Sequence, residues 1–131
     1  MNIRVFYIAI FGLLGVFSRY YLGLGISKVL PPPFPYGTFL INITGAFVIG
    51  VIHVLGVERA SMSPDLRIGV MVGFLGGYTT FSSYCLEMAR LTEEAEFTYA
   101  AIYFLLSPVL GYLAALLGMV LTRLYLGGAA S

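Results

Sequence analysis

Gly73-Phe74-Leu75-Gly76-Gly77-Tyr78-Thr79-Thr80-Phe81-Ser82-Ser83-Tyr84 lies inside a stretch of 19 residues, Ile68 to Leu86, that carries no charged side chain. A membrane-spanning helix needs roughly 20 mostly apolar residues, so this run is close to the required length. Its composition argues against one straight helix. Adjacent glycines followed by β-branched and hydroxyl residues propagate a helix poorly, Gly alone costing about 1 kcal/mol relative to Ala. The stretch predicts a helix interrupted inside the bilayer. Non-helical backbone persists at that depth only where it is buried in protein or lines a cavity, which makes the break a candidate ion or substrate site. Freed carbonyls suit a cation, while hydroxyl and amide groups suit an anion; a kink tolerated for packing is the alternative reading.

The flanking sequence repeats the same arithmetic. The 131 residues are 60% hydrophobic and 10% charged, with a mean hydropathy of +0.95, whereas soluble domains carry about 25% charged residues. A water-soluble fold is excluded. Three further uncharged windows run from Val5 to Ser18 (14 residues), Val29 to Val57 (29) and Phe97 to Thr122 (26). The first reaches spanning length if its helix continues past Arg19 through Ser27. The expected architecture is an all-α integral membrane protein forming a single domain, 1–131. Its four transmembrane helices cover about 4–27, 36–57, 66–89 (broken near 76–80) and 97–123. Arg19-Tyr20-Tyr21 is no small-residue cleavage site, so the first segment is expected to stay as a helix rather than leave as a signal peptide.

Breakers set the loops. Pro31-Pro32-Pro33-Phe34-Pro35 cannot be helical and separates the first two spans. Ser63-Pro64-Asp65 marks the start of the third, with Ser63 or Asp65 as its cap. Arg90 to Glu96 links it to the fourth. Four spans put both termini on one side with Arg4, Arg59, Arg67 and Arg123, against Lys28 and Arg90 on the other, with Arg19 near that boundary. This bias is too small to force one orientation on every copy. A net charge of +1 with no basic run gives no reason to expect nucleic acid as a partner. Four small helices enclose little volume, so an oligomer is expected, and Gly12, Gly15, Gly69, Gly73, Gly111 and Gly118 offer thin faces for it. Use of these glycines inside one chain is the competing reading. The lone Cys85 reads as a small buried residue.

Polar groups within the apolar windows are where function is sought, because each is costly in hydrocarbon unless it faces protein or water. Arg19, late in the first helix, and Asn42, about two turns into the second, sit toward the same membrane face. A fixed guanidinium and an amide donor suit a vestibule that attracts an anion. A snorkelling Arg and an Asn bonded to a neighbouring helix would explain the same pair. After the break, Phe81 and Tyr84 share a face, and Thr80, Ser83 and Glu87 follow on an adjoining one. The fourth window adds Tyr103 and Ser107, four apart, with Pro108 bending the helix beside them. Ring edges are positive, so inward-turned edges beside hydroxyls make a donor-lined track for an anion.

These motifs together resemble the fluoride-specific channels of the CrcB/Fluc family over nearly the whole chain. The matching stretches are Gly15-Val16-Phe17-Ser18-Arg19-Tyr20, Gly37-Thr38-Phe39-Leu40-Ile41-Asn42-Ile43-Thr44-Gly45 and Gly73 to Tyr84, of which Gly-Gly-x-Thr-Thr-Phe-Ser is the specific one. The resemblance implies a passive fluoride exporter in a bacterial or archaeal plasma membrane, an antiparallel dual-topology homodimer with two pores. It implies a vestibule at Asn42 and Arg19, an aromatic box of Phe81 and Tyr84, and a polar track through Tyr103, Ser107, Thr80, Ser83 and Glu87. It further implies a structural sodium ion at the dimer interface, held by backbone carbonyls of Gly76 and Thr79. Two positions depart from the family pattern. Tyr84 stands where Phe is usual, and Gly111 where some relatives carry a hydroxyl.

Other classes fit less well. A four-helix multidrug antiporter has this length, but cation exchange needs a carboxylate in the first helix, which here carries only Arg19. A non-transporting assembly protein accounts for glycines and not for a polar break. No nucleotide motif is present, and no enzyme is expected: His53, the single histidine, has no Cys or carboxylate at ligand spacing.

Overall fold

The computed structural model describes residues 2–130; Met1 and Ser131, the two ends of the expected domain, lie outside the described residues. Helix α1 (Ile3–Val29) begins where the Asn2 side chain accepts from the Arg4 N–H at 3.0 Å, satisfying one of the N–H groups that a helix start leaves open. The proline loop ends it. Helix α2 (Tyr36–His53) follows directly on Pro35 and widens into a π-helical turn over Val54–Glu58. Ser63 accepts from the Leu66 N–H at 3.2 Å and Pro64 opens α3 (Pro64–Ile68), a pairing of cap and first-turn proline suited to a helix start. A second π-helical turn, Gly69–Phe74, leads into the short α4 (Leu75–Tyr78). Thr79 and Thr80 are extended, α5 (Phe81–Glu93) resumes, and α6 (Phe97–Ala130) closes the chain with Pro108 in its interior. There is no strand among the described residues.

Packing is held by close backbone approach more than by large side chains. The principal seams are α2 on α6 and α1 on the Gly69–Phe74 turn. A Cβ at Gly15 would be driven into the Phe74 carbonyl, and one at Gly118 into the Phe47 carbonyl. Only glycine lets these backbones meet. Gly69 and Gly73 lie similarly against Tyr7 and Ile8. These glycines are therefore used within one chain, and they give no support to an oligomer. Gly111, with Ile43 Cδ1 at 3.9 Å, is only in ordinary contact.

The interior is small: Phe34, Ile41, Val54, Leu75, Tyr84, Leu91 and Tyr103 are the buried hydrophobic side chains. Outside, α1 and α6 carry rows of exposed apolar residues, and Gly15 is the one buried residue of α1. A surface that apolar requires lipid or protein against it rather than water. Three helical segments are long and apolar enough to cross a bilayer, Ile3–Val29, Tyr36–Glu58 and Phe97–Gly127. The protein is a multi-pass membrane protein. Cys85 corrects its sequence reading: it is exposed, because it faces outward from α5 in this apolar surface.

Candidate functional site

The break after α4 is the organising feature. Gly76 and Gly77 remain helical, and the interruption falls on the two threonines that follow. Thr79 ends α4 by directing both its N–H (3.0 Å) and its Oγ1 (2.8 Å) to the Leu75 carbonyl. Thr80 then pairs with a side chain in place of a helix: its N–H donates to Asn42 Oδ1 at 2.8 Å, and its carbonyl accepts from Asn42 Nδ2 at 3.0 Å. The amide thus imitates a neighbouring strand and satisfies the peptide that the break exposes. Thr80 also caps α5, its Oγ1 accepting from the Ser83 N–H at 3.2 Å.

Arg19 closes the other side of the gap. Its Nε donates to the Gly77 carbonyl at 2.9 Å, placing a fixed positive charge at the C-terminal end of α4, where helix carbonyls lack donors. Arg19 turns toward the break.

Two grooves flank Thr80. The larger, of about 640 Å³, is lined by Arg19, Thr38, Thr80, Ser83 and Glu87 together with the proline loop, Arg90 and Glu94. The smaller, of about 390 Å³, is lined by Asn42, Gly45, Gly76, Thr79, Thr80 and Phe81. The sequence-derived vestibule pair is therefore divided: Arg19 and Asn42 line different grooves, joined through Thr80. Asn42 commits its carbonyl oxygen and one amide N–H to Thr80, and its second N–H has no partner among the described residues.

Behind the grooves stands an aromatic stack. Phe81 and Tyr84 have ring centroids 5.9 Å apart and tilted by 45°, and Tyr84 meets Tyr103 edge-on at 4.8 Å. Phe34, from the proline loop, also meets Tyr103 edge-on, at 5.3 Å. Three buried polar atoms in this region have no hydrogen-bond partner among the described residues: Glu87 Oε1, Tyr103 Oη and Ser107 Oγ. Buried polar groups are normally paired, which makes these three candidate ligand contacts.

A family model described as CrcB-like protein, Camphor Resistance, matches residues 6–119, which includes every residue of this site. The chain belongs to the CrcB-like protein family. Similar curated members carry the name fluoride-specific ion channel FluC. One, from Geotalea uraniireducens (strain Rf4), is 44% identical over 119 residues, 91% of this chain and 96% of the relative. Another, from Geotalea daltonii, is 42% identical over the same shares. A third, from a Synechococcus strain, is 42% identical over 125 residues, 95% of this chain and 96% of its own. Around these grooves and the aromatic stack, sequence reading passes over Thr38, Phe34, Arg90 and Glu94 as site residues. Thr38 carried a signal, a hydroxyl inside the second apolar window; Phe34 carried none, because a phenylalanine in a proline-rich loop reads as a loop residue.

Proposed function

We propose that the protein is a fluoride-selective passive channel of the plasma membrane of a bacterium or archaeon, working as an antiparallel dual-topology homodimer. In this reading each chain crosses the bilayer four times, the broken segment from Pro64 to Glu93 being the third crossing. One observation carries it: Tyr103 Oη and Ser107 Oγ are buried with no hydrogen-bond partner among the described residues. An unpaired hydroxyl in an apolar setting costs on the order of 2–7 kcal/mol, so these are donors kept for a passing ligand. Fluoride holds its water tightly, and short hydroxyl and amide donors offset the loss of that shell. The ring edges of Phe81 and Tyr84 offer further weak positive potential without a charge that would trap the ion. Chloride, being larger, is excluded from a narrow path. The names carried by the relatives support the same ion. Fluoride enters cells as the neutral acid and is trapped as the anion, so a negative interior expels it through a passive pore.

Gly76 and Thr79 fit a structural sodium ion. A continuous helix would give the Thr80 N–H to the Gly76 carbonyl and the Ser83 N–H to the Thr79 carbonyl. Here those two donors go to Asn42 Oδ1 and Thr80 Oγ1 instead. Both carbonyls are thereby freed, and neutral oxygens with no Asp or Glu between Arg67 and Glu87 suit a monovalent cation over a divalent one. Bound there, the ion would hold the two breaks of a dimer together and lend positive potential to the nearby path. Gly76 is exposed, and a Cβ on it would meet nothing within 4 Å, which supports room for a partner chain.

The deciding experiment is fluoride efflux from sealed liposomes containing the purified protein, with valinomycin carrying potassium as countercharge. Rapid fluoride release with scarcely any chloride release is the expected result. Absent fluoride flux, or comparable chloride flux, overturns the proposal.

A further inference from the structure

Pro108 lies inside α6 and has no N–H, so the carbonyl four residues earlier, that of Phe104, loses its helical donor. The Tyr84 hydroxyl supplies one. It donates to the Phe104 carbonyl at 3.0 Å, with the Tyr103 carbonyl a weaker second acceptor at 3.4 Å. Tyr84 is 8% exposed and its ring packs edge-on against Tyr103, which holds its hydroxyl against this turn of α6. We infer that Tyr84 is a positioning residue that masks the backbone acceptor freed by Pro108, keeping an unpaired carbonyl oxygen away from the anion path.

This rests on the channel reading and deepens it. Phe104 shares a helical turn with Tyr103 and Ser107, whose hydroxyls are buried without partners among the described residues. An anion passing those donors passes the freed carbonyl as well, and the negative end of that dipole repels it. Having given its single proton to α6, the Tyr84 hydroxyl is not itself a donor to the ion. That separates its task from those of Tyr103 and Ser107.

The test is a double-mutant cycle read in fluoride efflux from liposomes. Tyr84→Phe keeps the ring, uncovers the carbonyl and lowers flux about tenfold, equivalent to ~1.4 kcal/mol on the barrier. Pro108→Ala returns an N–H to the Phe104 carbonyl, and in that background Tyr84→Phe changes flux less than about twofold. Thermal unfolding of the same four proteins in detergent follows the hydrogen bond without needing conduction, and its cycle is non-additive in the same sense. Unchanged flux in Tyr84→Phe overturns the inference, as do equal losses in both backgrounds or additive shifts in unfolding temperature. If the unmutated protein passes no fluoride, it is the channel reading that fails; if it conducts and Tyr84→Phe conducts equally well, only the masking role does.

Discussion

Phe81 and Tyr84 are three residues apart on α5, yet the chain holds them very differently. Tyr84 is buried between two rings and bonded to α6, whereas Phe81 is 76% exposed and touches little of its own chain beyond the Tyr84 ring. Truncating or reshaping an exposed side chain changes stability by about 0.5 kcal/mol or less. Phe81→Ile is therefore expected to leave the unfolding temperature in detergent nearly unchanged while fluoride efflux falls severely, because an aliphatic group has no positive edge to turn toward the ion. Normal efflux from that variant would return Phe81 to a packing role. The pair itself was legible, since spacing of three on a helix puts two rings on one face. The partnership of Tyr84 with the Phe104 carbonyl was not, because it depends on which turn of α6 lies against α5, and local sequence does not encode that juxtaposition.

The broken segment teaches the same lesson for an element. The glycine doublet marks the neighbourhood of the break, but Gly76 and Gly77 keep helical geometry, and the chain departs where Thr79 and Thr80 find better partners than their own helix. Propensity located the weakness to within a few residues; a side chain 38 positions away selected the peptide that opened. The π-helical turn over Gly69–Phe74 had no local signal either, being the form in which Gly69 and Gly73 reach α1. Asn42→Ala removes both bonds to Thr80 and leaves a donor and an acceptor unpaired, a loss of about 2 kcal/mol or more. A clear fall in unfolding temperature is expected, and an unchanged one would show that the break stands without its clasp. Asn42→Asp keeps an acceptor for the Thr80 N–H but sets a carboxylate against the Thr80 carbonyl and beside the path. Its fluoride flux is expected to lie well below that of Asn42→Ser, measured side by side in the same liposomes; equal fluxes would remove the electrostatic argument.

For the whole molecule, the apolar exterior was legible from composition alone, and the proposed arrangement of copies is open to test through charge and one open glycine. With Arg4, Arg59, Arg67 and Arg123 set against Lys28 and Arg90, insertion has little to choose between orientations. Ser61 is exposed in the loop after the Val54–Glu58 turn, which makes it a reporter of sidedness. Because Cys85 is exposed, it is first replaced by Ala. A membrane-impermeant thiol reagent should then reach Ser61→Cys in about half of the copies in intact cells, as equal insertion in both directions requires. Labelling of all copies or none would contradict an antiparallel pair. The glycines supply the complementary test. Gly15→Ala forces a methyl group into the Phe74 carbonyl, backbone that cannot swing aside, so the single-chain fold itself is expected to suffer. Gly76→Ala meets nothing in its own chain, and Ala is the better helix former by about 1 kcal/mol, so an isolated subunit would tolerate or even prefer it. If two breaks meet across a dimer, that methyl group lies in the seam beside the carbonyls assigned to sodium. Gly76→Ala should then shift the protein from dimer to monomer in detergent, and depress flux, without unfolding the helices seen by circular dichroism. A dimer as stable as the parent's would mean that the partner chain approaches elsewhere.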